Sequence, residues 1–145
     1  MNHADCVDHL VPIAFRYFMA ADLMRQLCDS YLPQSPPVTD EHDSMLFLVS
    51  KAGLCMRYWY GGLYVVVEAW EALGLSDTEI DALLQSPNKA LLRRHRNSSF
   101  HFQREWLHEK ESDFYGSPGA VAWVRQLTAA FGRRLTAELN RVTTQ

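Results

Sequence analysis

Between residues 89 and 104 the chain gathers Lys89, Arg93, Arg94, Arg96 and Arg104 with His95, Asn97 and His101, and it places no Asp or Glu among them. Clustered cations create the field that attracts phosphate. Histidine titrates near neutrality and can move a proton. Arginine can hold phosphate oxygens bidentately, and an amide can orient a ribose or an imidazole tautomer. Together these types could cleave an RNA phosphodiester without a metal. The 2′-hydroxyl attacks the adjacent phosphorus, the bond to the 5′-oxygen breaks, and a 2′,3′-cyclic phosphate and a free 5′-hydroxyl remain. The reaction needs a base, an acid and a cation for the charge that builds on the phosphorane. His101 is the candidate base or acid, Arg96 the candidate cation and Asn97 the positioning group. Arg93, Arg94 and Arg104 are candidate phosphate contacts.

Spacing sharpens this assignment. At about 100° per residue on a helix, Arg94, Asn97, His101 and Arg104 share one stripe, which His108 extends if the helix lasts. Arg96 lies about 140° from His101 on an ideal helix, so its guanidinium must curl around or act with a second chain. A two-fold dimer also brings two copies of the histidine, enough for both proton roles. The alternatives are a solvated basic face and a polar His101 satisfied within a generic helical bundle. Other chemistries fit less well. His95, His101 and His108 do not share one helical face as metal ligands should, so neither a metal nor another cofactor is expected. Cys55 has no His or Asn beside it, and no Gly-rich phosphate loop is present.

The segment Arg96-Asn97-Ser98-Ser99-Phe100-His101 resembles the signature of the HEPN superfamily: an Arg, a polar residue that is often Asn, a few residues and a His. Trp106, Asp113, Phe114 and Tyr115 downstream are similar to the residues found after the motif in several such proteins. The resemblance implies an all-α, single-domain antiparallel helical bundle over 1–145. It also implies a homodimer in which the Arg and His of both protomers face one cleft. Many members are metal-independent endoribonucleases, and others bind RNA, nucleotides or protein partners without cleaving. A toxin or phage-defence role, with an antitoxin as partner, falls within what the resemblance implies.

Composition accommodates this reading. The chain has 145 residues, 48% hydrophobic and 12% aromatic, which suits one domain with a sizeable core. Its net charge is −3, and outside the basic segment nine cations face 17 carboxylates, so nucleic-acid contact must be local. Cys6, Cys28 and Cys55 are odd in number, widely spaced and lack a CxxC. That predicts reduced thiols in a cytoplasmic protein. Residues 1–8 carry two acids and no basic n-region, so no signal peptide is expected.

About five helices are predicted to hold the motif. The first runs from Asp8 to Tyr31, with Leu10, Ile13, Ala14, Tyr17, Ala21, Met24, Leu27, Cys28 and Tyr31 as its buried stripe. A Pro-rich loop extends from there to Asp43, and Asp40, Glu41 and Asp43 suit the start of the next helix rather than a metal. Ser44 to Leu73 is apolar almost all round and reads as one enclosed helix, with no uncharged run long enough to span a membrane. Leu63–Val67 offers a strand as the rival reading. Gly61-Gly62 there predicts a kink or a close crossing, with a dimer contact as a guess. Glu68 should have a cationic partner, either in a structural pair with an Arg of the basic segment or in orienting Arg96 or His101. Gly74 ends the helix, and Ser76 with Glu79 has the form of a capping box for a short helix to Gln85. The motif helix runs from Lys89 to about His108, with Leu91, Leu92, Ser99, Phe102 and Trp106 on its apolar side. Ser117-Pro118 is the expected start of the last helix, to about Arg141. The arginines of that helix, Arg125, Arg133, Arg134 and Arg141, either solubilise it or extend a nucleic-acid surface.

Overall fold

The structure, a computed structural model, describes residues 3–105 and 109–144, with side chains described over 10–105 and 110–144. Within them the chain is all-helical. Seven α-helices occur in order: α1 (His3–Tyr31), α2 (Glu41–Val49), α3 (Lys51–Leu73), α4 (Thr78–Leu83), α5 (Asn88–Phe100), α6 (Glu109–Tyr115) and α7 (Ala120–Thr143), with a 3-10 turn at Leu32–Gln34. The expected five become seven because the segment 44–73 is two helices and the motif helix stops at Phe100. Leu63–Val67 lies within α3 and is not a strand. No helix among the described residues is long and apolar enough to cross a membrane.

Helix α3 is the centre. Trp59, Tyr60, Leu63, Tyr64, Val66, Val67 and Trp70 are buried against Phe18 and Ala21 of α1, Leu92 of α5, Phe114 of α6, and Val124, Leu127 and Phe131 of α7. Helix α1 runs antiparallel to α3. Tyr31 at its end receives the Lys51 ammonium over its ring, and Leu10 near its start shares a groove with Leu73. Between those points the two glycines let neighbours approach. A Cβ on Gly62 would lie 3.2 Å from that of Ala21, and one on Gly61 would lie 2.8 Å from the Phe100 ring. The expected close crossing is therefore present, and its partners belong to the same chain. Each Gly costs roughly 1 kcal/mol in a helix interior, which the burial of side chains such as Leu63 and Val67, at about 1.5–3 kcal/mol each, offsets.

The buried face of α1 keeps Ala14, Ala21 and Cys28 of the expected stripe but is turned towards Val11 and Phe18. Val11, Ala14, Phe18, Ala21 and Cys28 are buried, whereas Leu10, Ile13 and Tyr17 are 43, 43 and 44% exposed. Both stripes are apolar, and the choice between them is made by α3 and α7, because Phe18 must fill the space above Gly132. Cys28 and Cys55 are free thiols, and burial raises the Cys28 thiol to about 11. Cys6 lies outside the described side chains.

Helix ends also differ in detail. Gly74 does adopt the left-handed conformation, at φ 64°, and Asp40 caps α2 by accepting from the Asp43 amide at 2.8 Å. At α4, however, the cap is Asp77, which accepts from the amides of Glu79 and Ile80, and the Ser76 hydroxyl donates to Asp81. Helix α7 begins at Ala120 after Gly119. Ser117, the expected cap, donates instead to Asn88 Oδ1 at 2.7 Å and joins the starts of α5 and α7. The arginines of α7 are committed to carboxylates: Arg125 to Asp29, Arg133 to Glu79, and Arg134 and Arg141 to the buried Glu138.

The break that divides the segment 44–73 is made by Ser50. Its hydroxyl donates to the Phe47 carbonyl at 2.6 Å and accepts from the Gly53 amide at 3.2 Å, closing α2 and capping α3 with one side chain. The corner is tight enough that a Cβ on Gly53 would lie 2.1 Å from the Phe47 carbonyl oxygen. Backbone cannot yield as a flexible side chain can. Gly53→Ala is therefore expected to destabilise the protein by about 1–3 kcal/mol, read as a lower urea midpoint; an unchanged midpoint would show that the corner is not constrained.

Candidate functional site

Helix α5 lies antiparallel along α3. Lys89 at its start pairs with Glu71. Arg96 pairs with Glu68 at 2.7 Å and sits over the Tyr64 ring at 5.4 Å. Phe100 at its end meets Gly61 and Tyr58. There the helix stops, and His101 is extended at φ −120° and ψ 135°. The single stripe expected through Arg94, Asn97, His101 and Arg104 does not form. Arg94 and Asn97 share the helix, and His101 and Arg104 lie beyond it. The physical reason is the seating of Phe100 on Gly61, with Ser98 and Ser99 both turning their hydroxyls back to the His95 carbonyl in the last turn. Phe102, expected on the apolar side, is 92% exposed. Trp106 and His108 lie outside the described residues.

The expected site residues divide into two groups. Arg94 pairs with Asp113 at 2.9 Å and Arg96 with Glu68, so two of the candidate arginines already hold carboxylates. The expected structural pair from Glu68 to the basic segment is thus present, and Glu68 does not contact His101 in it. Asn97 is half-buried on α5. His101, Arg93 and Arg104 are exposed. Among the described residues neither Arg93 nor Arg104 has a carboxylate partner, and the contact described at His101 is its backbone carbonyl, which accepts from Gln103 at 3.0 Å. His95 and His101 do not converge as metal ligands would. One is enclosed and the other faces solvent.

The enclosed one belongs to a polar network that the motif spacing does not reveal. His95 is 0% exposed, with its ring edge-on to Tyr60 and Tyr115. Its Nε2 lies 2.8 Å from the Tyr115 hydroxyl and its Nδ1 3.3 Å from Ser99 Oγ. Because the Ser99 hydroxyl donates to the His95 carbonyl, its oxygen is left to accept from Nδ1–H. Nε2 then accepts from Tyr115, a consistent neutral tautomer. In the same turn, the Ser98 hydroxyl, whose proton goes to the His95 carbonyl, lies 3.3 Å from Glu111, which is 1% exposed and held by Arg57 Nη2 at 2.7 Å. Glu111, Phe114 and Tyr115 fall at i, i+3 and i+4 on α6. That spacing is the sequence signal that marks Glu111 as an inward carboxylate in need of a cation.

On the outer side of this network, Arg57 and Glu111 reach a cleft of about 410 Å³ whose walls include Leu54 of α3, Val49 of α2, and Phe102 and Arg104. The cleft exists because the Ser50 corner swings α2 away from the axis of α3. It opens immediately after His101 in the chain.

Burial, and secondarily the Arg57 guanidinium, push the His95 imidazole down to about 3. Below the ordinary histidine value the unfolded chain takes up a proton that the fold refuses, so stability is fully present above about 6.5 and is lost as the pH falls towards about 3. Between pH 7 and pH 5 this group alone should remove about 2 kcal/mol. In His95→Gln, urea unfolding should show that part of the acid slope missing; an equal slope in both proteins would place the acid sensitivity elsewhere.

No protein-family model, curated protein or solved structure matches this chain. The likeness to HEPN proteins therefore rests on the residues from Arg96 to His101 and their surroundings alone.

Proposed function

We propose that the chain is a HEPN-like, metal-independent endoribonuclease that works as a homodimer, with His101 as its proton-transfer group. The observation that carries this reading is the exposed His101 side chain at the end of α5, five residues after Arg96 and close in sequence to the exposed cation Arg104. His101 of one protomer takes the proton of the 2′-hydroxyl as its oxygen bonds to phosphorus. A second His101, from the other protomer, protonates the 5′-oxygen as its bond to phosphorus breaks. Arg96 meets the phosphorane charge; to do so it exchanges Glu68 for phosphate while its guanidinium remains over Tyr64. Asn97, on the same helix, positions the ribose. Arg93 and Arg104 contact flanking phosphates, with Arg94 joining them when it leaves Asp113. A nuclease of this kind needs restraint, so the protein partner that fits is an inhibitor covering His101, as an antitoxin covers a toxin or a regulator a phage-defence effector.

The homodimer has a face available. Leu10, Ile13 and Tyr17 of α1 and Val65 and Ala69 of α3 line an apolar groove of about 330 Å³ that also includes Glu68, the partner of Arg96. A second copy seated there would be continuous with the Arg96 face. Light scattering is expected to report a dimer that Ile13→Glu converts to a monomer; a wild-type protein that is strictly monomeric removes the shared site.

A second reading is favoured by one observation. Lys89, Arg94 and Arg96 are all engaged by carboxylates of the same chain. A helical module that binds RNA, a nucleotide or a protein without cleaving needs no change in those pairs. RNA cleavage in EDTA separates the two. Wild type should cut single-stranded RNA to 2′,3′-cyclic phosphate ends, and His101→Ala should lose about 10²–10⁴-fold in rate, the usual worth of a general acid or base. Folded wild-type protein that leaves every RNA intact would select the binding module.

A further inference from the structure

We propose that the cleft between α2, α3 and the segment that follows His101 is a binding pocket for one unpaired nucleobase, with the ring of Phe102 as its stacking platform. This rests on the ribonuclease reading and names which part of the RNA the protein grips. Phe102 is 92% exposed, against at most 52% for any other large hydrophobic residue described. An apolar ring held in water beside a cleft is a surface waiting for a flat partner.

The chemistry of the walls selects a base over a phosphate. Arg57 and Arg104 are balanced by Glu105 and Glu111, so the cleft carries no net charge to trap an anion. Val49 and Leu54, 52 and 45% exposed, provide a second apolar wall. The Gln103 amide also lines the cleft; its nitrogen is used by the His101 carbonyl, which leaves its oxygen to accept from the exocyclic amine of a base. A volume of about 410 Å³ falls in the range of small-ligand sites. Arg104, exposed and without a carboxylate partner among the described residues, can meet the phosphate that enters with the nucleotide.

Placement links the pocket to the chemistry. Phe102 lies one peptide step beyond His101, about 3.8 Å between α-carbons. His101 is extended, so its side chain and that of Phe102 turn to opposite faces; a base stacked on Phe102 leaves its strand to cross this backbone, and the phosphate at His101 belongs to a neighbouring nucleotide. Unstacked bases are what proteins read in single-stranded RNA, and stacking on an aromatic side chain tolerates any sequence. The pocket thus fits a nuclease for single-stranded or looped RNA, in which a duplex is excluded because its bases are not available.

The test is fluorescence anisotropy in EDTA with labelled oligouridylate, oligoadenylate and an abasic strand of the same length, all 2′-O-methylated so that no 2′-hydroxyl is left to attack. Wild type, Phe102→Ala and Phe102→Tyr are compared, and so is His101→Ala, which prevents turnover. Because Phe102 is exposed, none of its variants depends on refolding a core. Phe102→Ala should weaken binding about 5- to 150-fold, the loss of one base–aromatic stack. Phe102→Tyr should bind as wild type does, and the abasic strand should bind as poorly to wild type as intact RNA does to Phe102→Ala. Unchanged binding by Phe102→Ala, or equal binding of the abasic strand, overturns the pocket and leaves the cleft to a protein partner. Binding that depends on Phe102 in a wild-type protein that never cuts keeps the pocket and removes the nuclease. Cleavage that ignores Phe102 does the reverse.

Discussion

A carboxylate carried into the interior must bring a cation with it, and much of this fold is arranged around one such obligation. Glu111 is 1% exposed and is held by Arg57, which joins the short helix α6 to α3. A carboxylate enclosed this far is strongly unfavourable alone, and its pairing with the part-exposed Arg57 does more to offset that cost than to add net stability. What the pair supplies is therefore register. With Arg57 fixed on α3, α6 has one position, and Phe114 and Tyr115 on the same face are delivered to Tyr60 and His95. Ser98 of α5 packs its hydroxyl 3.3 Å from the same carboxylate, so three helices meet at one charge. That matters for the candidate site, since α5 and the segment after it are held from below by this network and from the side by Phe100 on Gly61.

Two histidines six residues apart show how far environment, rather than residue type, sets chemical capacity. His95 is enclosed among aromatic rings and is driven down to about 3, so it remains neutral at any pH where the protein is expected to work. His101 leaves the helix into solvent. A histidine-rich, arginine-rich string of sequence thus resolves into one structural imidazole and one available imidazole. The difference is made by a single turn of α5, in which Ser98 and Ser99 return their hydroxyls to the backbone and Phe100 finds its notch.

Much of this is legible in the residues, and the rest is hidden for identifiable reasons. The helix-ending Gly74, the acidic start of α2, the close approach at Gly62 and the pairing of Glu68 with the basic segment each follow from residue type, and tertiary structure had no reason to override them. The division of α2 from α3 escapes a periodicity reading because an apolar run hides a break. Yet Ser50 with Gly53 three residues later is a serine cap beside a position that tolerates no side chain. The choice between the two apolar stripes of α1 cannot be read locally, because Ile13 and Phe18 are equally apolar and Gly132 on α7 decides which turns inward. Extending the motif helix to His108 assumes that nothing competes with helix there, and two serines leading into an anchored Phe do compete. Glu111 reads as part of a polar stretch until its spacing from Phe114 and Tyr115 is taken into account.

The pairing of Lys89, Arg94 and Arg96 with Glu71, Asp113 and Glu68 has a consequence for any polyanion that approaches this face. The carboxylates act as tethered competitors, present at high effective concentration because they belong to the same chain. A phosphate can claim one of these cations only by exchange, and the displaced carboxylate then turns to solvent. Counterion release, which gives nucleic-acid binding its steep dependence on salt, is correspondingly reduced. Salt also loosens the internal pairs that compete, because they lie near the surface. The face should therefore respond to ionic strength less steeply than its number of arginines suggests, as an electrostatic surface buffered by its own acids.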